Sequence, residues 1–313
     1  MRLPSTQKAI VVTAPQEAKL LPNHPIPTLQ DQHILVKVVC VALNPADWRH
    51  IDFYSAPGAL LGFDYSGIVA ETGPGVTRFT PGDRICGAAH GGNALQHQDG
   101  AFAEYILVKE HIQIPMPPNL GFQQAATLGV GITTVGLALY RTLGLNLPDD
   151  PIAEPVSVLV YGGSTATGSL AIQFAKLSGY HVVATCSPHN SPFVRSLGAD
   201  VVYDYNAPGA ADEIRKITNN RLKIVLDTIS LDSSARFCAE AMSSSSSTDG
   251  VVLLLRRTLV FSPSRSREAM SRLSWCWLIR LLGSPLNWVD SRLRRCRRIE
   301  RLRPGGGFWR RDI

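Results

Sequence analysis

Two hydrophobic rhythms divide the chain. Over residues 1–125, short apolar runs with polar interruptions are broken by turn signals. Ile34-Leu-Val-Lys-Val-Val-Cys-Val41 and Gly67-Ile-Val-Ala70 read as strands, and Gly73-Pro74-Gly75 and Pro81-Gly82-Asp83 as turns. This predicts a small β-rich barrel. Residues 125–143 form an apolar stretch that predicts a connecting helix. Over residues 126–250, short buried strands alternate with helices. Residues 156–161 make an apolar strand, and Leu170, Ile172, Phe174, Ala175 and Leu177 follow at helical spacing. His181-Val-Val-Ala-Thr185, Val201-Val202-Tyr203 and Lys223-Ile-Val-Leu-Asp-Thr-Ile229 read as further strands, with a polar helix near residues 211–217. Strand–helix alternation of this kind predicts an α/β class with a doubly wound parallel sheet.

Between the first strand and helix of that region lies Tyr161-Gly-Gly-Ser-Thr-Ala-Thr-Gly168. A strand, a glycine turn and a helix open a dinucleotide-binding unit. Gly162 and Gly163 allow a sharp turn and a close approach to pyrophosphate. Ser164, Thr165 and Thr167 offer hydroxyls, Ala166 lies among them, and the helix N-terminus offers free N–H groups. A structural turn without a ligand explains the same glycines. The next strand ends Thr185-Cys-Ser-Pro-His-Asn190, with no acid to hold a ribose 2′-hydroxyl. Ser187, His189 and Asn190, with Pro188 among them, offer neutral or cationic donors and so point to a 2′-phosphate and NADPH. The alternative is that Ser187-Pro188 starts a turn and Asn190 or Ser191 caps a helix.

Several motifs resemble the medium-chain dehydrogenase/reductase family: Asn44-Pro-Ala-Asp47, Gly62-Phe-Asp-Tyr-Ser-Gly67, Pro81-Gly-Asp-Arg84, Gly100-Ala-Phe-Ala-Glu-Tyr105 and Gly198-Ala-Asp200. Tyr161-Gly-Gly-Ser-Thr-Ala-Thr167 and Ala184-Thr-Cys-Ser-Pro-His-Asn190 resemble one branch, the fungal trans-acting enoyl reductases of polyketide biosynthesis. The resemblance covers residues ~8–242. It implies a GroES-like N-terminal domain (1–125) and a Rossmann-type NADPH domain (126–250), incomplete at its C-terminal end. It places Asn44, Pro45, Ala46 and Asp47 at the nicotinamide, residues 164–167 at the pyrophosphate, residues 187–190 at the 2′-phosphate and Tyr205 beside the adenine. Thr134, Val135, Gly136, Leu137, Ala138, Leu139, Tyr140 and Arg141 line the acyl pocket on this reading; a packed inter-domain helix is the alternative. Partners implied are a polyketide synthase, or a synthase–peptide synthetase hybrid, and its acyl carrier protein.

Zinc relatives carry an early barrel cysteine and a Gly-His-Glu; here the corresponding stretches are residues 41–47 and Gly62-Phe63-Asp64. Cys40, Cys86, Cys186, Cys238, Cys276 and Cys296 are scattered without a CxxC, and His90 and His97 read as part of a solvated glycine-rich loop, so no metal is expected. A metal-free member of this family points to hydride addition at the β-carbon of an enoyl thioester. Donors polarise the carbonyl, and Tyr65, Arg49 and solvent are the candidate proton sources; for Tyr65 a barrel-core tyrosine is the alternative.

With 313 residues and 45% apolar content the chain can bury two cores. Residues 1–8 lack an apolar signal region, no apolar run reads as long enough for a membrane span, and few cysteines suit a reducing cytoplasm. A monomer without nucleic-acid partners is expected. The net charge of +6 arises entirely after residue 250. Residues 251–313 hold fifteen Arg, no Lys and four acids, whereas the preceding part has 16 basic and 21 acidic residues. Permitted codons for Trp275-Cys-Trp-Leu-Ile-Arg-Leu-Leu-Gly-Ser-Pro285, read one nucleotide earlier, encode Leu-Val-Leu-Ala-Tyr-Thr-Ala-Ser-Gly-Glu-Pro, which resembles the family's substrate loop. The tail therefore reads as an out-of-frame or truncated end joined within residues ~243–270. Three functions follow from these patterns: a trans-acting enoyl reductase, a free-standing NADPH quinone or alkenal reductase, and an inactive remnant.

Overall fold

The computed structural model describes residues 3–244, 250–254 and 257–261. The reading of the tail beyond 261 lies outside the described residues. Strands β1 (Thr6–Ala14) and β2 (Glu17–Pro25) form an antiparallel pair. Strands β3 (His33–Ala42), β4 (Asp64–Thr72), β5 (Arg84–Ala88), β6 (Tyr105–Lys109) and β7 (Gln113–Pro115) form an antiparallel sheet in the order β6-β3-β4-β5-β7. The two expected strands of this domain are both present and longer than their apolar cores. Ile34, Val36, Tyr65, Val69, Ile85 and Ile106 pack as its interior with Ala9 and Val11 of β1. Gln7 is buried but satisfied, since its Oε1 accepts the Tyr105 N–H at 2.6 Å and its Nε2 donates to Pro25 O at 3.3 Å. Helix α1 (Pro45–Asp52) lies between β3 and β4 in sequence.

The apolar connector is helical: α2 (Phe122–Ala125), α3 (Gly129–Gly136) and a π-helical turn, Leu137–Thr142. Here the membrane expectation needs correction. The run Phe122–Thr142, 21 residues with mean hydropathy 1.2, is long and apolar enough to cross a membrane by length and composition. Packing accounts for part of its apolar character, since a third of the apolar window is buried. Val135, Ala138 and Leu139 are buried in a core with Val158, Val160 and Ala171.

The second sheet has the order β10-β9-β8-β11-β12-β13. Strands β8 (Ser157–Tyr161), β9 (His181–Cys186), β10 (Val201–Asp204), β11 (Ile224–Asp227) and β12 (Gly250–Leu254) are parallel; β13 (Arg257–Phe261) closes the edge antiparallel. The parallel sheet thus passes the expected domain end at residue 250. Helices α4 (Ala166–Leu177), α5 (Ser191–Ser196), α6 (Ala210–Ile217) and α7 (Asp232–Ala241) connect the strands. Successive side chains serve opposite faces. Val158, Val160, Val182 and Ala184 join one core with Ile172 and Ala175, while Leu159, Val183 and Val225 join another with Ile214 and Cys238. Burial on both faces explains the unbroken apolar runs. Strand β11 stops at Asp227, short of the expected Ile229. The Asp227 carboxylate accepts the N–H groups of Ile229 at 2.8 Å and Ser230 at 2.9 Å and bends the chain. The strand order reverses between β8 and β11, where open α/β sheets bind their ligands.

Candidate nucleotide and acyl site

The glycine turn lies at this reversal, and Gly162 makes the sharp bend expected of it. Gly162 has φ +81°, and a Cβ there would stand 2.5 Å from Thr228 Oγ1. A Cβ on Gly163 would face Ile172, Ala184 and Val194 at 3.0–3.3 Å. Both positions are small because protein packs against them. Gly168 is the third such position, with a Cβ 2.2 Å from Gly162 O. Thr165 departs from the ligand role expected of it. Its hydroxyl donates to Gly162 O and accepts the Gly168 N–H, both at 2.9 Å, and lies 3.0 Å from Thr228 Oγ1. It caps α4. The N–H groups of Ala166 and Thr167 open that helix without intrahelical acceptors and remain suited to a phosphate. Ser164 and Thr167 are half-buried, and Ala166 is exposed.

Parallel pairing of β8, β9 and β10 sets the neighbouring parts of the site. The Gly163 N–H donates to Thr185 O at 2.8 Å, which ties the turn to β9. Ser187 follows β9, and its hydroxyl meets the Tyr205 hydroxyl at 3.1 Å. The Tyr205 ring lies 5.9 Å from Tyr161, which in turn packs edge-on to Phe237 at 5.2 Å. Ser187, Tyr205 and the glycine turn therefore belong to one end of the sheet. Pro188, His189 and Asn190 form a short 3-10 turn; Pro188 and His189 are exposed. On the adjacent strand Asp204 pairs in register with Cys186, and its carboxylate accepts the Asn206 N–H at 2.9 Å.

On the barrel side, Asn44 precedes α1 and holds two acids. Its N–H donates to Asp47 Oδ2 at 2.6 Å, and its Nδ2 donates to Asp64 Oδ2 at 2.8 Å. Asp64 Oδ1 accepts the Val130 N–H at 2.7 Å. Burial pushes both carboxyls up to about 6, and for Asp47 the adjacent Asp64 charge adds to the effect. Asp47 is thus an interior residue of this cluster, whereas Pro45 is exposed and Ala46 half-buried. Arg49 is half-buried, with its guanidinium 5.3 Å from the centre of the exposed Trp48 ring.

Tyr65 is not a proton donor. It is fully buried, its hydroxyl donates to Gln113 Oε1 at 2.6 Å, and burial pushes the phenol well above its usual range. The expected result for Tyr65→Phe is turnover within about twofold of wild type and stability lower by about 1–3 kcal/mol, because the buried Gln113 oxygen loses its donor. Steady-state rates and thermal unfolding check this; a large loss of rate in a folded variant contradicts it.

The stretch 134–141 separates into two groups. Val135, Ala138 and Leu139 are core residues without a surface for an acyl chain. The Tyr140 hydroxyl lies 3.2 Å from Ser178 Oγ and packs against α4. Thr134, Gly136 and Leu137 are half-buried and Arg141 is exposed. His90 also differs from a solvated loop residue. Its ring lies 6.0 Å from His50 and 5.9 Å from Phe63, and burial, with His50 nearby, pushes it down to about 4. His97 is exposed as expected. Among the described residues no group of three or more His, Cys, Asp or Glu is placed to hold a metal. Sequence reasoning missed Asp64, Thr228 and Gly168. A lone acid between Phe63 and Tyr65 was the signal for the first; Thr228 carries no local signal.

The alcohol dehydrogenase GroES-like domain matches residues 30–118, and the family described as zinc-binding dehydrogenase matches residues 166–248. A trans-enoyl reductase of Cochliobolus carbonum, TOXD, is 59% identical over 76% of this chain and 80% of its own length. The chain belongs to the trans-enoyl reductase family. A trans-enoyl reductase of Aspergillus sclerotiorum, resD, is 48% identical over 76% of the chain and 71% of its own length. Among solved structures, an alcohol dehydrogenase superfamily protein from Novosphingobium aromaticivorans superposes with a TM-score of 0.65 at 26% identity, covering 80% of this chain and 72% of that one. The fold is accordingly a GroES-like domain joined to a Rossmann-type sheet, and this trans-enoyl reductase is an oxidoreductase of a nicotinamide-dependent family.

Proposed function

We propose that this trans-enoyl reductase uses NADPH to reduce the α,β-double bond of an intermediate carried by the acyl carrier protein of a polyketide synthase or synthase–peptide synthetase hybrid. The observation that carries the reaction class is the 59% identity to TOXD. NADPH over NADH is supported by the Ser187–Tyr205 hydroxyl pair and by the absence of an acid in residues 185–190. A carboxylate there repels a 2′-phosphate, while hydroxyls donate to it. The N–H groups of Ala166 and Thr167 would hold the pyrophosphate, Ser187 the 2′-phosphate, and Tyr205 would pack by the adenine. When bound, the nicotinamide supplies hydride to the β-carbon of the thioester.

Negative charge then develops on the thioester oxygen. Of the two side chains proposed from sequence, Tyr65 is buried against Gln113, which leaves Arg49, half-buried on α1, as the candidate. A guanidinium does not give up its proton near neutral pH, so Arg49 stabilises the enolate oxygen by charge and hydrogen bonding. The proton that completes the α-carbon comes from solvent. Arg49→Ala is expected to lower kcat/KM by about 100-fold, with partial recovery in Arg49→Lys, because an ammonium keeps the charge without the planar fork. The test follows NADPH and NADH oxidation by the purified chain with an enoyl thioester of N-acetylcysteamine. Oxidation of NADPH coupled to formation of the saturated thioester is the expected result. Failure to reduce the thioester with either nucleotide refutes the reading, and turnover of quinones alone replaces it with a free-standing quinone reductase.

A further inference from the structure

One buried carboxylate has no part in holding the nucleotide or stabilising the enolate. Asp64 is 3% exposed and opens β4. Its two oxygens accept from different elements: Val130 N–H in the first turn of α3 at 2.7 Å, and the side chain of Asn44, ahead of α1, at 2.8 Å. One side chain therefore joins α1, β4 and α3, and its charge faces the positive end of the α3 dipole. The titratable groups that face it are Asp47 from α1 and Cys86 from β5; α3 presents main-chain N–H. Asp64 forms no ion pair among the described residues.

Two contacts show how closely this helical run sits on the barrel. Ser66 Oγ donates to Phe122 O at 2.7 Å. A Cβ on Gly129 would stand 2.2 Å from the Gly87 backbone of β5. The far end of the run is held in the other domain, where Val135, Ala138 and Leu139 pack with Val158, Val160 and Ala171. The run is a strut with one end on the barrel and the other in the nucleotide core. Arg49 stands on α1 at the first end, and the glycine turn follows β8 at the second.

We infer that Asp64 is a positioning residue, which seats the first turn of α3 on α1 and β4 and thereby sets the placement of Arg49 relative to the nucleotide turn. Its catalytic consequence rests on the enoyl-reductase reading; the seating does not. Asp64→Ala deletes both acceptors. Asp64→Asn can keep both bonds, because Asn44 can turn its amide over and accept from the introduced NH2. Asp64→Glu keeps the charge but lengthens the arm by one methylene.

The test measures amide exchange at residues 129–132, kcat with the enoyl thioester, and the NADPH dissociation constant on the full chain. In Asp64→Ala, exchange should rise by about tenfold or more, since a bond to a charged acceptor is lost. Its kcat should fall by about thirtyfold through misplacement, with NADPH affinity within about threefold. Asp64→Asn should bring exchange and kcat back to within about fivefold of wild type. Unchanged exchange in Asp64→Ala overturns the seating. Raised exchange with kcat within about threefold of wild type overturns its catalytic role. Should Asp64→Ala not fold, Asp64→Glu decides the matter: a kcat loss of about tenfold at unchanged NADPH affinity supports the inference, and unchanged kcat overturns it. If the wild-type chain reduces no enoyl thioester, the proposed function fails while the exchange measurements still test the seating.

Discussion

Gly168→Val is expected to abolish NADPH binding while the N-terminal barrel stays folded. An added Cβ would lie 2.2 Å from Gly162 O and 2.9 Å from Thr165 Oγ1. Neither neighbour can retreat cheaply. Gly162 O accepts the Thr165 N–H at 3.0 Å, and Thr165 Oγ1 accepts the Gly168 N–H at 2.9 Å. Relief requires the turn and the first turn of α4 to move apart, which breaks the cap and turns the Ala166 and Thr167 N–H groups away from the phosphate. Loss of the cap alone costs about 1 kcal/mol, and the clash in a packed turn adds about 1–3 kcal/mol more. Fluorescence titration with NADPH should show at least about a 100-fold weaker complex, the equivalent of about 2.7 kcal/mol. Binding within about threefold of wild type contradicts the account. The barrel core of Ile34, Tyr65, Ile85 and Ile106 shares no residue with this turn, so near-ultraviolet circular dichroism of its aromatic residues should persist.

The second large effect is a reversal of nucleotide preference in Ser187→Asp. In the wild-type chain the Ser187 and Tyr205 hydroxyls face each other at 3.1 Å at the ends of adjacent strands. An aspartate there places a carboxylate where the 2′-phosphate is expected and offers an acceptor to a 2′-hydroxyl. Two like charges about 4 Å apart in a partly screened surface site repel by about 1–4 kcal/mol. NADPH affinity should therefore fall by about 10- to 1,000-fold, and NADH affinity should hold or rise. Parallel titrations of both nucleotides read the change. Equal affinities for the two nucleotides in the wild-type chain, or an unaltered ratio in the variant, would rule out this 2′-phosphate site.

Local pattern was enough for the two domain types and for the place of the nucleotide turn. The apolar runs of β8 and β9 report burial on both faces, and the alternation of short strands and helices leaves few topologies open. Glycines between a strand and a helix likewise mark the turn from sequence alone. The same pattern did not tell why each glycine is there. Gly163 faces Ile172, Ala184 and Val194, three residues brought together only by the fold. Thr165 looked like a ligand donor because its partners Gly168 and Thr228 are recognised only when the chain is folded.

Tyr65 and Asp64 illustrate the remaining boundary. In sequence they are adjacent polar-tipped residues, and for Tyr65 a proton source and a barrel-core tyrosine are both open. Alternation along β4 sends them to different neighbours. Tyr65 meets Gln113, 48 residues away, and Asp64 meets Val130, 66 residues away. The family resemblance places Val135, Ala138 and Leu139 in an acyl pocket, with a packed inter-domain helix as the alternative; an apolar side chain suits a lipid-like ligand and a protein core equally, and the packing puts these three in the core. Spacing along the chain determined the strands, the helices and the nucleotide turn, because these depend on bonds and faces within a few residues. Tertiary structure alone decided which hydroxyls are free, which carboxylates are buried and which apolar residues are core, because each depends on partners that sequence distance conceals.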